Sequence, residues 1–200
     1  MSGFGALTQI GLLLAGANPP APAYPLAAVL DAVRQACSDL SSTQAAEHQV
    51  AASGWTRAAD PDATPIGALI RFGNEAGAKA VAGHGKMTGS PNVYSRGLDG
   101  ETLYLTVSGA EVDGLSVVGC RAYDVDETRK VDAAAAQKWV GRAPDKTVDR
   151  AELTRLTWEP GIQPRQDSFE IYFVPAGSPV TAMTKFPGLA FKADAVRKAQ

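Results

Sequence analysis

Four side chains of this 200-residue chain belong to the types that most often act as nucleophiles, proton carriers or soft metal ligands. They are Cys37, Cys120, His48 and His84. A cysteine nucleophile needs a free thiol beside a histidine, and a zinc site needs ligands at short, regular spacings. The cysteines lie 83 positions apart, and the histidines add no such spacing. We therefore expect neither a metal site nor a cofactor.

The two cysteines are better suited to a disulfide bond. In an oxidising compartment, the only two cysteines of a chain most simply pair with each other. A bond between Cys37 and Cys120 would close a loop of about 84 residues, which stabilises the fold by ~4 kcal/mol in the chain-entropy model. In a reducing compartment both would be small buried hydrophobic side chains. The predicted bond therefore depends on export of the chain.

Three carboxylates late in the chain could supply general acid–base chemistry. Glu159, Asp167 and Glu170 lie on or near one predicted hairpin, and paired carboxylates can share the roles of acid and base. In a regular strand Asp167 and Glu170 point to opposite faces, which weakens that pairing. A triad that uses His84 or His48 stays open, because triad residues need not be close in sequence. These five residues are the candidates for a catalytic site.

Two motifs that would identify an enzyme are incomplete. The run from Gly114 to Val118 contains a serine but lacks the second glycine of the Gly-x-Ser-x-Gly nucleophile elbow. The run from Gly83 to Thr88 contains Gly-Lys, as a phosphate-binding loop does, but Ala80 replaces the first glycine and Met87 follows the lysine. The sequence therefore favours neither an elbow-type hydrolase nor a nucleotide-binding protein.

Asp124, Asp126 and Glu127 form a short acidic run after a predicted central strand. Their Asp-x-Asp spacing has no continuation of the kind found in an EF-hand calcium loop. We expect a solvated loop or a helix-cap cluster here.

The N-terminus is typical of a secretory signal. No charged residue precedes Asp31, and the run from Ile10 to Ala17 is short and apolar. Small residues in an A-x-A pattern offer cleavage after Ala17 or after Ala23. A positive n-region is missing, so a cytoplasmic protein with a buried N-terminal segment is the alternative. The run is shorter than the roughly 20 apolar residues of a membrane span.

Composition favours an ordinary globular protein rather than a disordered or nucleic-acid-binding one. The chain is 45% hydrophobic and 20% charged, with a net charge of −2. Its basic residues are scattered, and the densest group is the pair Arg129 and Lys130, so no basic footprint for nucleic acid is present. We assign residues 1–23 to a signal peptide and Pro-rich linker and residues 24–200 to a single domain.

Residues 26–55 are predicted to form a helical hairpin. Ser41 with Gln44 resembles a capping box at the start of its second helix, and Gly54 suits the left-handed position after it. Because Cys37 lies on the apolar stripe of the first helix, it should face a partner strand. That stripe consists of Leu26, Val29, Leu30, Val33 and Cys37.

Strands dominate the rest of the chain. Residues 100–126 form the clearest predicted hairpin, because Thr102, Tyr104 and Thr106 alternate with apolar residues and Asp113-Gly114 marks the turn. A further helix is predicted over about 132–140, with Asp132 as its N-cap and Gly141 at its end. Two more strands are expected at Leu153–Trp158 and Ser168–Val174. For the remainder, we expect a loop over 73–89, a last hairpin or edge strand over 180–191, and a frayed end or short helix over 193–200.

These elements predict an α+β fold. An N-terminal helical hairpin would pack on a mainly antiparallel sheet, with one helix between two groups of strands, because the strands do not alternate regularly with helices. The signal-like start, the cysteine pair and the incomplete catalytic motifs favour an exported, periplasmic or secreted, non-enzymatic binding or envelope-associated protein. The alternative is a small hydrolase or transferase with a site built from a histidine and acids.

Overall fold

The computed structural model describes residues 23–89 and 92–199. Its helices are α1 (Leu26–Ala36), α2 (Thr43–Ala52), α3 (Gly67–Val81), α4 (Ala133–Val140) and α5 (Pro179–Thr184). Its strands are β1 (Thr56–Arg57), β2 (Gly85–Thr88), β3 (Val93–Leu98), β4 (Glu101–Val112), β5 (Leu115–Val125), β6 (Lys146–Arg150), β7 (Leu153–Trp158), β8 (Ser168–Val174) and β9 (Gly188–Lys198).

The nine strands form one antiparallel sheet. Eight of them follow the order β1-β3-β4-β5-β9-β8-β7-β6, and β2 pairs with β4 beside this path. Helices stand at the N-terminus, and α4 separates two groups of strands, so the predicted α+β class is confirmed. The predicted hairpin of β4 and β5 is also confirmed, and β5 lies with β9 in the middle of the order.

One face of the sheet, here called the helix face, is covered by α1, α2 and α4. Every second residue of the central strands points toward these helices and joins the main core, as Leu103, Leu105 and Ala122 do. The predicted stripe of α1 is buried against this face, because its apolar residues recur with the helical period. The opposite side of the sheet, here called the groove face, carries Arg121, Tyr123 and their cross-strand neighbours.

The helix ends follow the expected capping chemistry with one shift. The N-cap of α2 is Ser42, whose hydroxyl accepts a hydrogen bond from the amide of Ala45, so the cap lies one residue beyond the predicted Ser41. Gly54 has the predicted left-handed backbone, with φ of 82°. Asp132 caps α4, and Gly141 ends it with φ of 83°. Short polar side chains accept from the free amides of a first turn, which explains both caps.

Residues 73–89, predicted as a loop, instead complete α3 and form β2. The helix persists through Gly73 and Gly77 because each glycine costs an exposed helix only about 1 kcal/mol, while Ile66 and Ile70 anchor its first turns on the groove face. The short apolar run over 66–72, whose sequence fits a strand or a short helix equally well, forms the start of this helix. Pairing with β4, which is distant in sequence, produces β2.

The predicted strand over 180–186 is wrong, because the chain forms α5 there. Ser178 is the N-cap and accepts a hydrogen bond from the amide of Val180. Pro179 occupies the first turn, where its missing amide hydrogen is not needed.

The predicted strand over 189–191 is confirmed, but its edge position and the frayed terminus are wrong, because it belongs to β9, an 11-residue strand between β5 and β8. Its helix-face residues include Ala193 and Ala195, which are buried but give a weak hydrophobic signal. Its groove-face residues include Lys192 and Asp194, whose charges suggest a surface. Hydrogen bonds to two neighbouring strands hold this segment in the centre of the sheet despite its polar sequence.

The predicted signal peptide and most of the Pro-rich linker, residues 1–22, lie outside the described residues. Across 23–89 and 92–199, no helix combines the length and the apolar character that a membrane crossing requires.

Candidate ligand-binding site

Cys37 and Cys120 form the predicted disulfide bond. Cys37 lies at the C-terminal end of α1 and Cys120 on the helix face of β5, with Cα atoms 5.7 Å apart. Both side chains are almost completely buried. The bond ties the N-terminal helices to the middle of the sheet, and it leaves no free thiol for a cysteine nucleophile at either position.

Four of the five catalytic candidates lie apart and exposed. His48 lies on α2, and His84 lies in the turn before β2. Glu159 pairs with Lys146 across the β6–β7 edge, at 3.0 Å. Asp167 accepts a hydrogen bond from the amide of Val196, at 2.6 Å. Within residues 23–89 and 92–199, neither histidine is hydrogen-bonded to these acids, and the four side chains form no shared site.

Glu170 is different, because it is buried on the groove face of β8. Tyr172 donates a hydrogen bond to it at 2.7 Å, and Lys192 forms an ion pair with it at 3.2 Å. The hydroxyl of Thr157 lies 3.3 Å from its other oxygen. The sequence suggested Glu170 as an acid–base group, and the structure gives it a full set of partners instead.

Cross-strand pairing extends this cluster into a polar row across five strands. Register aligns Arg121 with Lys192, and Lys192 with Glu170. Asp194 lies beside the row and accepts from Lys192 at 2.7 Å. The row itself consists of Thr106, Arg121, Lys192, Glu170 and Thr157. Opposite charges on neighbouring strands stabilise this face of the sheet.

The protonation states of Glu170 and Tyr172 suit a structural role in the row rather than proton transfer. Burial alone would raise the pKa of Glu170, but the hydrogen bond from Tyr172 and the charge of Lys192 outweigh it and lower that pKa. Burial and the bond to Glu170 raise the pKa of Tyr172 to about 12. At neutral pH the carboxylate therefore stays charged and the phenol stays neutral, so neither group is poised to exchange a proton.

A cluster of acidic residues lies on the helix face, where a solvated loop or a helix-cap cluster was predicted. Asp124 and Glu127 are 5% and 8% exposed, because β5 continues through Asp124 and directs it toward the start of α1. Tyr24 donates a hydrogen bond to Asp124 at 2.9 Å. Burial raises the pKa of Asp124 to about 6, and the charges of Glu101 and Glu127 add to this rise, while the bond from Tyr24 opposes it.

Arg129 is the basic residue that pairs with this acidic cluster. The oxygens of Glu101, Asp124 and Glu127 come close enough together to ligate a cation. The guanidinium of Arg129 lies 2.6 Å from Glu101, also contacts Glu127, and stacks over the ring of Tyr24 at 5.2 Å. Its hydrogen bond lowers the pKa of Glu127. We interpret the cluster as an ion-pair network that holds the chain before α1 onto the sheet.

The groove face contains a concave apolar surface of the kind that binds small molecules. A cavity of about 230 Å³ lies where α3 and α5 cover the sheet. Tyr123 and Phe186 line it with rings in edge-to-face contact, 5.2 Å apart, and Ala190 lies between Tyr123 and Tyr172 on its floor. Further lining side chains are Leu69, Val174, Val180 and Thr184. Apolar pockets with few polar groups are typical ligand sites.

A second cavity, of about 240 Å³, adjoins the first and is more polar. The two share Leu69, Arg121 and Tyr123. Asn74 of α3 and Ser108 of β4 bring polar atoms to the second cavity. We call the first the apolar cavity and the second the polar cavity.

Sequence reasoning missed both cavities because their residues come from separate parts of the chain. The part of α3 from residue 73 onward was predicted as a loop, and the segment of α5 as a strand, so their placement over the sheet could not be foreseen. Arg121 and Lys192 are 71 positions apart in the chain, and only the register of β5 against β9 makes them neighbours. The one sequence signal for this site was a charged residue inside each of two predicted strands, Arg121 in β5 and Glu170 in β8.

Comparison with protein-family models, with curated proteins and with solved structures returned no match.

Proposed function

We propose that this protein is an exported binding protein that holds a small, largely apolar molecule in the apolar cavity of the groove face. The cavity carries the proposal: aromatic and aliphatic side chains line it, and two helices roof a sheet whose other face is already covered. Burial of an apolar ligand there would release ordered water from these side chains, at about 25 cal/mol per Å² of apolar area.

The enzymatic alternative has less support. Glu170 is the one buried candidate, and its hydrogen bonds and ion pair hold it ionised. His48 and His84 are exposed and distant from it in the chain. A binding role needs only the shape and surface of the cavity.

Ligand binding is tested with the neutral fluorescent probe N-phenyl-1-naphthylamine. We expect saturable fluorescence enhancement with the wild-type protein. Ala190→Leu adds a branched side chain to the cavity floor and should weaken probe affinity by at least about tenfold. Thr184→Phe, which fills the same cavity from α5, should give a similar loss. The matched control Ala78→Leu, on the exposed side of α3, should leave affinity unchanged.

Two outcomes would overturn the binding proposal. One is a wild-type protein that binds no probe. The other is a pair of filled variants that bind as tightly as wild type while retaining native circular dichroism and a cooperative thermal transition.

Export is supported by the signal-like N-terminus and by the Cys37–Cys120 bond, which persists in oxidising compartments. Intact mass of the protein purified from its natural host, with and without reductant and thiol alkylation, tests it. We expect a chain that begins at residue 18 or 24 and takes up two alkyl groups only after reduction. A full-length chain that alkylates without reduction would contradict export.

A further inference from the structure

We propose that the ligand is a single-chain amphiphile whose anionic end, a carboxylate, binds Arg121 in the polar cavity while its chain occupies the apolar cavity. This inference rests on the proposed binding function and adds the chemical class of the ligand. Three features support it: the charge of the lining, the free donors of Arg121, and the space made for its side chain.

The charged side chains that line the two cavities are both basic. Arg121 lines both cavities and Lys192 lines the apolar one, and none of the described residues that line either cavity is an aspartate or a glutamate. Asp194 and Glu170 lie outside both linings and are bound to Lys192, at 2.7 and 3.2 Å. Arg121 is therefore the charge that a ligand in the polar cavity would meet, and its sign favours an anion.

Arg121 keeps donors available for such a ligand. A guanidinium carries five N–H donors in a planar fork that matches a carboxylate. Two nitrogens of the Arg121 guanidinium form hydrogen bonds: Nη1 donates to the hydroxyl of Ser108, and Nη2 donates to Asp194 at 3.5 Å. The second bond is long, and Asp194 has its closer partner in Lys192. A ligand carboxylate can therefore bind Arg121 without leaving Asp194 unpaired.

Gly119 makes room for this arginine. A Cβ atom at position 119 would lie 2.5 Å from Nη1 of Arg121 and 2.9 Å from its Cζ. The guanidinium thus lies over the backbone of its own strand, beside the hydroxyl of Ser108. The amide of Asn74 approaches the same cavity from α3. The donors available at this point, the guanidinium and the side-chain amide and hydroxyl, suit the oxygens of a carboxylate.

Cavity size selects a short single chain. Each cavity alone, at about 230 and 240 Å³, falls below the usual range for a ligand pocket, and the two together fit one medium-chain molecule rather than a two-chain lipid. Arg121 and Tyr123 line both cavities. A carboxylate bound to Arg121 would therefore lie where the two cavities meet.

The test compares decanoate, decanol and decylamine as competitors of the neutral probe. We expect decanoate to bind about tenfold more tightly than decanol, and decylamine to bind most weakly. Arg121→Gln should reduce the ratio of decanoate affinity to decanol affinity to less than about threefold, and Arg121→Lys should restore part of that ratio.

A second variant covers the case in which Arg121→Gln does not fold. Asn74→Asp places a carboxylate in the polar cavity from the helix side and should lower the ratio of decanoate affinity to decanol affinity about tenfold. Asn74→Gln is its matched neutral control and should keep the preference.

The outcomes separate this inference from the function beneath it. If decanol binds as well as decanoate, or if Asn74→Asp leaves the preference intact, the anionic ligand class is wrong and the apolar site stands. If neither competitor displaces the probe and Ala190→Leu has no effect, the binding function itself fails, and this inference fails with it.

Discussion

Replacing Cys37 and Cys120 together by alanine is expected to lower the free energy of unfolding by about 4 kcal/mol. The bond joins residues separated by 83 positions, and a crosslink over such a length greatly restricts the unfolded chain. Both side chains are buried between α1 and β5, so the shorter alanines also lose packing contacts. Since folded domains are stable by only about 5–15 kcal/mol, this loss is a large part of the total.

Equilibrium urea denaturation of wild type and the double variant measures this effect. Wild-type protein unfolded in reductant serves as the matched reference, because it loses the crosslink and keeps both cysteines. We expect its midpoint to fall close to that of the double variant. A difference below about 1 kcal/mol between oxidised wild type and the double variant would contradict the prediction.

Asp124→Asn is expected to stabilise the protein at pH 8 by about 2 kcal/mol and to leave it unchanged near pH 4. The pKa of Asp124 rises from 3.8 to about 6 on folding, mainly because the side chain is buried. Between these two values the unfolded chain has released the proton and the folded chain has kept it. Stability from this group is therefore complete below about pH 4 and is lost as pH rises through about 6.

The magnitude follows from the shift. Each pKa unit corresponds to about 1.4 kcal/mol, so the shift limits the effect to about 3 kcal/mol. Asparagine avoids the burial of a charge and can still accept the hydrogen bond of Tyr24. Its buried amide group needs hydrogen-bond partners of its own, and for this reason we expect less than the limit.

Urea denaturation of both proteins at pH 4, 6 and 8 checks the prediction. The informative quantity is the difference between variant and wild type, because Glu127 and Glu170 have lowered pKa values and add pH dependence to both proteins. Asp126→Asn is the matched control, since Asp126 is exposed and its left-handed backbone tolerates asparagine. A difference that stays constant from pH 4 to 8 would show that Asp124 ionises as it does in water.

The parts of the fold that local pattern controls were predictable. The stripe of α1, the Asp113-Gly114 turn of the β4–β5 hairpin and the caps of α4 all depend on residues within a few positions of one another. The disulfide also followed from the sequence, because a chain with two cysteines offers one pairing and Cys37 lies on the inward stripe. These features set the α+β class and the tie between helices and sheet.

The parts controlled by distant pairing were not predictable. β9 is a central strand because β5 and β8 bind both of its edges, although its sequence alternates alanine with charged residues. Asp124 is buried because the segment at Tyr24, 100 positions earlier, covers it. A single sequence contains no record of which segment will cover or flank another.

The candidate site shows the same division. The sequence alone determined an antiparallel α+β framework, a buried cysteine pair and a short set of acids and histidines, since residue type and spacing encode these locally. Only the tertiary structure decided that Glu170 is engaged in a polar row and that Arg121 lies between two cavities roofed by α3 and α5. Strand register and helix placement bring these residues together, and both depend on contacts made across the whole chain.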